Sequence, residues 1–304
     1  MNGRRSLSAL AVAAALTLPL TLIGCSGAGE EQREPAIGEI KQVNSYKDIV
    51  MPLDVYILTR EQRISINNAR ELLIRDCVNK HGLQVTGRVA SGDQPSRQVM
   101  VGRRYGIIDA DAAARTGYRA DAEVAADAGK AGGGWNPTPE EFRVVSGKDQ
   151  VTGENTVGQL VGGTAIAEGG CASEAGRQLS ADGGELASNY GDTLQVETYA
   201  MAERDSRVVA AVAEWSKCMA EAGYKYSSPW EPNNRDWGPK PTNEEIATAV
   251  ADVACRRKVD LVGIWLAVES AYQQRVIDEN HQRLEQSRQA YEVQLRNASK
   301  IVAG

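Results

Sequence analysis

Four cysteines, Cys77, Cys171, Cys218 and Cys255, constrain this chain more than any other feature, and they recur in one pattern. Cys218-Met219-Ala220-Glu221-Ala222-Gly223-Tyr224 opens a unit. A turn-rich stretch follows with Trp230, Pro232, Trp237, Pro239 and Pro241, and then a helical run from Glu244 carries Cys255. Earlier in the chain, Cys77-Val78-Asn79-Lys80-His81-Gly82-Leu83 matches the opening. Trp135 to Phe142 matches Trp237 to Ile246, with two extra residues in the second copy, and Ala167 to Cys171 matches Ala251 to Cys255. An even cysteine count in an exported chain implies disulfides, and four thiols allow three pairings. The duplication selects Cys77–Cys171 and Cys218–Cys255, because each copy then closes itself. In the loop-entropy picture the longer loop contributes about 4.7 kcal/mol and the shorter about 4 kcal/mol. There is no Cys-x-x-Cys for thiol redox chemistry. His81 and His281 are the only histidines and lie far apart in sequence. The sequence therefore predicts no metal site and no cofactor.

The N-terminus reads as a targeting segment. Arg4 and Arg5 precede an apolar run from Leu7 to Leu22, broken by Pro19, and the run ends Leu22-Ile23-Gly24-Cys25. A basic start, an apolar middle and a small residue before the cut define a signal peptide over residues 1–24. Cys25 in that setting resembles the lipobox cysteine of bacterial lipoproteins, which implies a diacylglyceryl group on its thiol. Two acyl chains anchor stably where one is marginal. Residues 25–46 begin Cys25-Ser26-Gly27-Ala28-Gly29-Glu30-Glu31 and are expected to form a lipidated flexible tether. No later stretch approaches the length of a membrane-spanning helix. The expected location is the outer face of the cytoplasmic membrane.

The formal charge is −6, with 34 basic and 40 acidic residues, and removal of residues 1–24 takes away Arg4 and Arg5 and leaves −8. No basic stripe stands out, which argues against nucleic acid as a partner. Aromatic residues make up only 5% of the chain, so Ala, Val and Leu must supply most of the core.

Thr59 and Gln62 fit a capping box before a helix through Cys77, which Gly82 stops. Asp109 is placed to cap a brief helix through Arg115. A helix from Cys171 through Leu186 is expected, and another from Thr198 to Ala222, with Gly223 ending it. Tyr224-Lys225-Tyr226 alternates like a short strand. Thr242 or Asn243 caps a last helical region whose apolar stripe includes Ile246, Val253, Leu261, Trp265 and Tyr272. It is expected to continue to Lys300, bent at Gly263, with a second half that projects or folds back. Residues 47–196 thus hold the first cysteine unit with its loop insertions, and residues 197–304 the second with the C-terminal helix. The fold class expected is mainly α: a disulfide-stapled helical domain with long irregular loops.

Catalytic motifs are lacking. There is no Gly-x-Ser-x-Gly and no Ser-x-x-Lys. Gly158 to Thr164 lacks the lysine of a phosphate loop. Asp109 and Asp111 lack the third acid and glycine of a calcium loop. Glu140-Glu141 and Glu244-Glu245 follow prolines at helix starts, where acids offset the helix dipole. The aromatic residues in polar, turn-rich chain are the better candidates. Trp135, Trp230 and Trp237, with Tyr224 and Tyr226, either plug small cores beneath the disulfides or present ring faces to a sugar or peptide.

Cys-Met-x-x-x-Gly-Tyr, the later Ala-Asp-x-x-Cys, and Gly-Gly-Cys-Ala-Ser-Glu-Ala resemble exported lipoproteins of actinobacteria over about Ile49 to Asn280. The resemblance implies an envelope lipoprotein and brings no activity or functional residues with it. The function expected is non-enzymatic binding of a wall polymer or an envelope protein through the Trp-Pro loops or the C-terminal helix. A cell-wall-directed hydrolase with an unrecognised carboxylate pair is the alternative. A solute-binding component is disfavoured, because two alternating strand–helix lobes are missing.

Overall fold

A computed structural model describes residues 33–85, 104–119, 135–181, 189–238 and 240–303. The signal segment, Cys25, Pro239 and the stretch from Gly129 to Gly134 lie outside the described residues. Residues Pro35–Gly304 form one compact unit. Its elements are helices α1 (Arg60–Lys80), α2 (Ala110–Thr116) and α3 (Pro139–Ser146), the hairpin β1 (Leu160–Val161) and β2 (Thr164–Ala165), and helices α4 (Gly170–Leu179), α5 (Tyr190–Arg204), α6 (Ser206–Glu221), α7 (Trp230–Asn234), α8 (Asn243–Lys258) and α9 (Leu261–Ala303). Two 3-10 turns, Tyr46–Asp48 and Pro52–Tyr56, lead into α1. The domain is mainly helical, and none of its described helices is long and apolar enough to cross a membrane.

Local chemistry explains the helix starts. Thr59 and Gln62 form the capping box of α1, and Thr138 and Glu141 form that of α3. The Asp109 carboxylate accepts from the amides of Asp111 and Ala112 at 2.9 Å each and so starts α2. Thr242 caps α8 through the Glu245 amide at 3.1 Å.

Both disulfides form as the duplication requires, Cys77 with Cys171 and Cys218 with Cys255, at Cα separations of 5.7 and 5.6 Å. Each lies in its own apolar cluster. The first joins Ile74, Val78, Val144, Val145, Val161, Ile166 and Ala175. The second joins Trp215, Met219, Leu261, Trp265, Val268 and Tyr272, among others.

The two copies differ by an insertion. Glu141 precedes Cys171 by 30 residues, and Glu245 precedes Cys255 by 10, so the first copy carries 20 more. In the second copy this span is the single helix α8. In the first it is α3 and α4, with the β1–β2 hairpin looped out between them. The two short helices still abut. A Cβ on Gly170, which sits at φ +61°, would lie 2.5 Å from the Val144 carbonyl oxygen and 2.7 Å from the Gly147 amide nitrogen. Only glycine closes that junction.

Several sequence expectations need correction. The tether is shorter than 25–46. The Arg207 side chain donates to the Pro35 carbonyl at 2.9 Å, Ile37 packs on the second cluster, and Val43 is buried in it. Gly263, expected as a bend, instead admits the Lys41 carbonyl oxygen, which lies 2.5 Å from where a Cβ would stand. The helix expected from Thr198 to Ala222 is two helices. Asp205 leaves helical geometry, and its carboxylate accepts from the Arg207 amide at 3.0 Å to start α6. The region from Asn243 to Lys300 also breaks, at Asp260, whose φ is +51°. Tyr224 to Tyr226 forms no strand. The helix from Cys171 ends at Leu179.

The C-terminal helix neither projects nor folds back. It kinks at Asn280, where φ is −124°. The Asn280 amide donates to the Val276 carbonyl at 2.8 Å, competing with the backbone ladder, and accepts from the Tyr190 hydroxyl at 2.6 Å. Both segments are docked. Leu261 to Tyr272 lie in the second disulfide cluster, while Val276, Ile277 and Leu284 pack with Leu53 and Leu194. Ala298 is buried with Ile66, Ala69 and Leu179, and Leu295 and Ile301 flank it. One helix thereby braces both cysteine units.

Candidate functional site

The aromatic candidates separate by what covers their rings. Trp135 stacks on Phe142 at 6.0 Å, against the first disulfide cluster. Trp230 meets Trp265 edge-on at 6.2 Å, and Tyr224 packs on the same cluster. Trp265 is itself buried between Tyr105 and Tyr199, with ring centroids 6.1 and 5.6 Å away. Trp135, Trp230 and Tyr224 are thus half-buried core groups, and this is how the structure differs from an exposed aromatic platform.

Tyr226 also packs, partly buried, on the second cluster, but its side chain is tied through Arg235 to Trp237, which lies outside that cluster. Trp237 stacks with Tyr118 at 5.8 Å, and its Nε1 donates to the Pro232 carbonyl at 2.9 Å. The Arg235 guanidinium lies over the Trp237 ring, 4.2 Å from its centroid. Arg235 also bonds the Tyr226 side chain and pairs with Glu244 at 3.0 Å, and those contacts hold its pKa above the ordinary arginine value. The patch is half-exposed, with Arg235 and Glu244 at the water interface. The loop beneath it is fixed. Glu231 accepts from the amides of Ser227 and Ser228 at 3.0 Å each, and Ser216 donates to the Tyr226 carbonyl at 2.5 Å.

Buried charges support this patch from below. Asp252 accepts from Trp215 Nε1 at 2.8 Å, from Arg256 Nε at 2.6 Å and from the Tyr118 hydroxyl at 3.1 Å. Arg256 also donates to the Tyr105 carbonyl at 2.5 Å. Burial first, then the charge on Asp252, pushes the Tyr118 phenol far above its usual range. Tyr118 is therefore a fixed donor to Asp252 and a fixed floor for Trp237. Glu245 accepts from the Tyr118 amide and from Arg119 at 3.2 Å each, which ties the 117–119 turn to the start of α8. In the other network, Glu269 accepts from Tyr105 at 2.6 Å, from Gln273 at 3.1 Å and from Arg104. These buried carboxylates are all engaged by cations, hydroxyls or amides, as buried charge requires.

Hollows also open among the described residues. An apolar groove of about 490 Å³ lies between Ile37, Ile40, Ala210, Ala211, Val259 and Ile264. A second, of about 380 Å³, opens beside Cys77, Lys80, Glu174 and Gln178. Asp260 has its carboxyl pKa raised by burial.

Sequence reasoning named Tyr226 and Trp237 as candidates, with Tyr226 in a strand that does not form, and missed Arg235 and Tyr118. An arginine two residues before a tryptophan was a visible signal for the first. Tyr118 has none, because its partners come from 119 and 134 residues further along the chain. No family model matches the chain, and neither a curated protein nor a solved structure similar to it was found.

Proposed function

We propose that the chain is an exported lipoprotein, anchored through diacylglyceryl Cys25 to the outer face of the cytoplasmic membrane, and that it binds a wall polymer through the patch of Tyr226, Arg235 and Trp237. One observation carries the reading: Arg235 gathers Tyr226, Trp237 and Glu244 into a single half-exposed surface on a fixed loop. Ring edges give contact area at low entropy cost, and a guanidinium offers paired donors to carboxylate or phosphate groups. The Arg235–Glu244 pair is exposed, so exchanging Glu244 for an anionic group on a polymer costs little. The two disulfides support an oxidising compartment, which agrees with export.

The test is co-sedimentation of the full chain carrying Cys25→Ser with isolated peptidoglycan. Arg235→Gln and Trp237→Leu are run beside it, with circular dichroism to check folding. Binding that both changes weaken at least about tenfold, with folding intact, supports the patch. Equal binding by all three proteins moves the contact elsewhere. Retention of an envelope protein without polymer binding points to a protein partner. Release of new reducing ends from the polymer points to the hydrolase instead.

A further inference from the structure

Among the described residues, the first disulfide has metal-ligating groups gathered about it and the second has no such cluster. One ring nitrogen of His81 and the sulfurs of Cys77 and Cys171 lie within 4.8 Å of one another, and all three residues are buried. A fourth donor stands beside Cys77, outside that set of three: Glu174 Oε2 is 3.6 Å from Cys77 Sγ, while Glu174 Oε1 accepts from Gln178 at 3.2 Å. A carboxylate gains nothing from contact with a disulfide sulfur, which has no proton to offer and is itself electron-rich. It gains much from a cation at that point.

The positions fit a chelate. His81 follows Cys77 by four residues at the end of α1, and Glu174 follows Cys171 by three in α4. Each pair therefore shares one helix face. The β1–β2 hairpin fixes the imidazole. Thr164 Oγ1 donates to the Lys80 carbonyl at 3.0 Å, and His81 Nδ1 lies 3.3 Å from the Val161 carbonyl oxygen. A carbonyl can only accept, so Nδ1 carries the proton and Nε2 keeps the lone pair. Metal-bound imidazoles are commonly oriented in this way. The second disulfide is a built-in contrast, since the residue four beyond Cys218 is Ala222 and the residue three beyond Cys255 is Lys258.

We propose that reduction of Cys77–Cys171 converts this cluster into a Zn²⁺ site with Cys77, Cys171, His81 and Glu174 as ligands. The reductant is a dithiol. Its thiolate attacks Cys77 Sγ from the 380 Å³ hollow and expels Cys171 as a thiolate. Its second thiol then releases Cys77, and the reductant leaves as its own disulfide. Two electrons and two protons pass to the protein, and Zn²⁺ displaces the two thiol protons on binding. Tetrahedral zinc with Zn–S bonds of about 2.3 Å needs the sulfurs roughly 3.8 Å apart. A Cα separation of 5.7 Å reaches that by side-chain rotation. Two thiolates, an imidazole and a carboxylate suit Zn²⁺.

The experiment takes the full chain with Cys25→Ser, reduces it with dithiothreitol, removes the reductant under inert gas, and titrates Zn²⁺ against a chromophoric chelator. The expected result is one tightly held Zn²⁺ per reduced chain and none in the oxidised chain. Co²⁺ in its place should give thiolate-to-cobalt charge-transfer absorption. His81→Gln and Glu174→Gln should each weaken Zn²⁺ binding at least about tenfold. The pair Cys218→Ala and Cys255→Ala should leave it unchanged. Equal affinity in His81→Gln and its parent overturns the proposal. So does loss of the metal with the Cys218 and Cys255 pair, or a reduced chain that unfolds and is not refolded by Zn²⁺.

Discussion

Trp215 donates from Nε1 to Asp252 at 2.8 Å, and each residue stands three places before a cysteine of the same disulfide. Cys218–Cys255 and Trp215–Asp252 are therefore parallel links between α6 and α8, one covalent and one polar. The first copy has Ile74 and Glu168 at the corresponding places and lacks the second link. The aspartate of the Ala-Asp-x-x-Cys stretch thus has a structural role as the buried acceptor that orients Trp215, Arg256 and Tyr118.

Asp252→Asn should destabilise the chain by ~3–5 kcal/mol, because it leaves the Arg256 guanidinium buried without its countercharge. Trp215→Phe keeps the Arg256 pair and should cost only about 1–2 kcal/mol. Urea midpoints of the two oxidised proteins check this, and equal losses would refute the ranking.

Asp205 gives a pH-dependent contribution. Burial works to raise its pKa, but the side-chain and amide bonds from Arg207 and the Tyr272 hydroxyl together outweigh it and hold the pKa below the ordinary value. A carboxyl depressed in the folded state contributes stability above its unfolded pKa and loses it as pH falls through the folded pKa. Asp205→Asn should therefore cost about 1–2 kcal/mol at neutral pH. The gap from wild type should close as the solution is acidified below the carboxylate range. A gap that persists at the lowest pH where both proteins fold contradicts the assignment.

Asp260 carries the opposite sign. Its folded pKa is raised by burial alone, so ionisation removes stability as pH rises through the carboxylate range. Its φ of +51° suits asparagine as well as aspartate. Asp260→Asn should raise the thermal midpoint at neutral pH, and the gain should vanish in acid. Calorimetry across that range decides it.

The junction of α3 and α4 is sterically closed. Gly170→Ala places a methyl group against the carbonyls of Val144 and Val145 at 2.5 and 2.6 Å, in a positive-φ conformation. The expected loss is ~2–3 kcal/mol or more. It should speed proteolysis between residues 147 and 169. Unchanged proteolysis would show that the contact yields.

Much of this fold was legible because its signals are local. Thr59 with Gln62, Asp109 and Thr242 announce helix starts within four residues, and the repeated cysteine unit selects the pairing. The breaks at Asp205 and Asp260 were not legible. Asp205 lies in helix-forming sequence and is drawn out of it by Arg207 and by Tyr272, 67 residues away. Asp260 takes a left-handed conformation that no neighbouring residue demands. The ring partners of Trp135, Trp230 and Trp237 were hidden in another way. A core plug was one of the two roles open to each tryptophan, but the packing partners Phe142, Trp265 and Tyr118 are named only by the fold. His81 was set aside as a lone histidine because Cys171 reaches it only through the fold.

The bracing of both units by α9 sets an order of events in time. In the export proposed above the chain arrives N-terminus first, so Cys77 and Cys171 would emerge well before Ala298. The oxidised first unit then waits with Ile66, Ala69 and Leu179 unsealed until the final turns arrive. Completion of the earliest segment thus depends on the last one, and a chain that stops near Asn280 would leave the first unit open while the second is already shut.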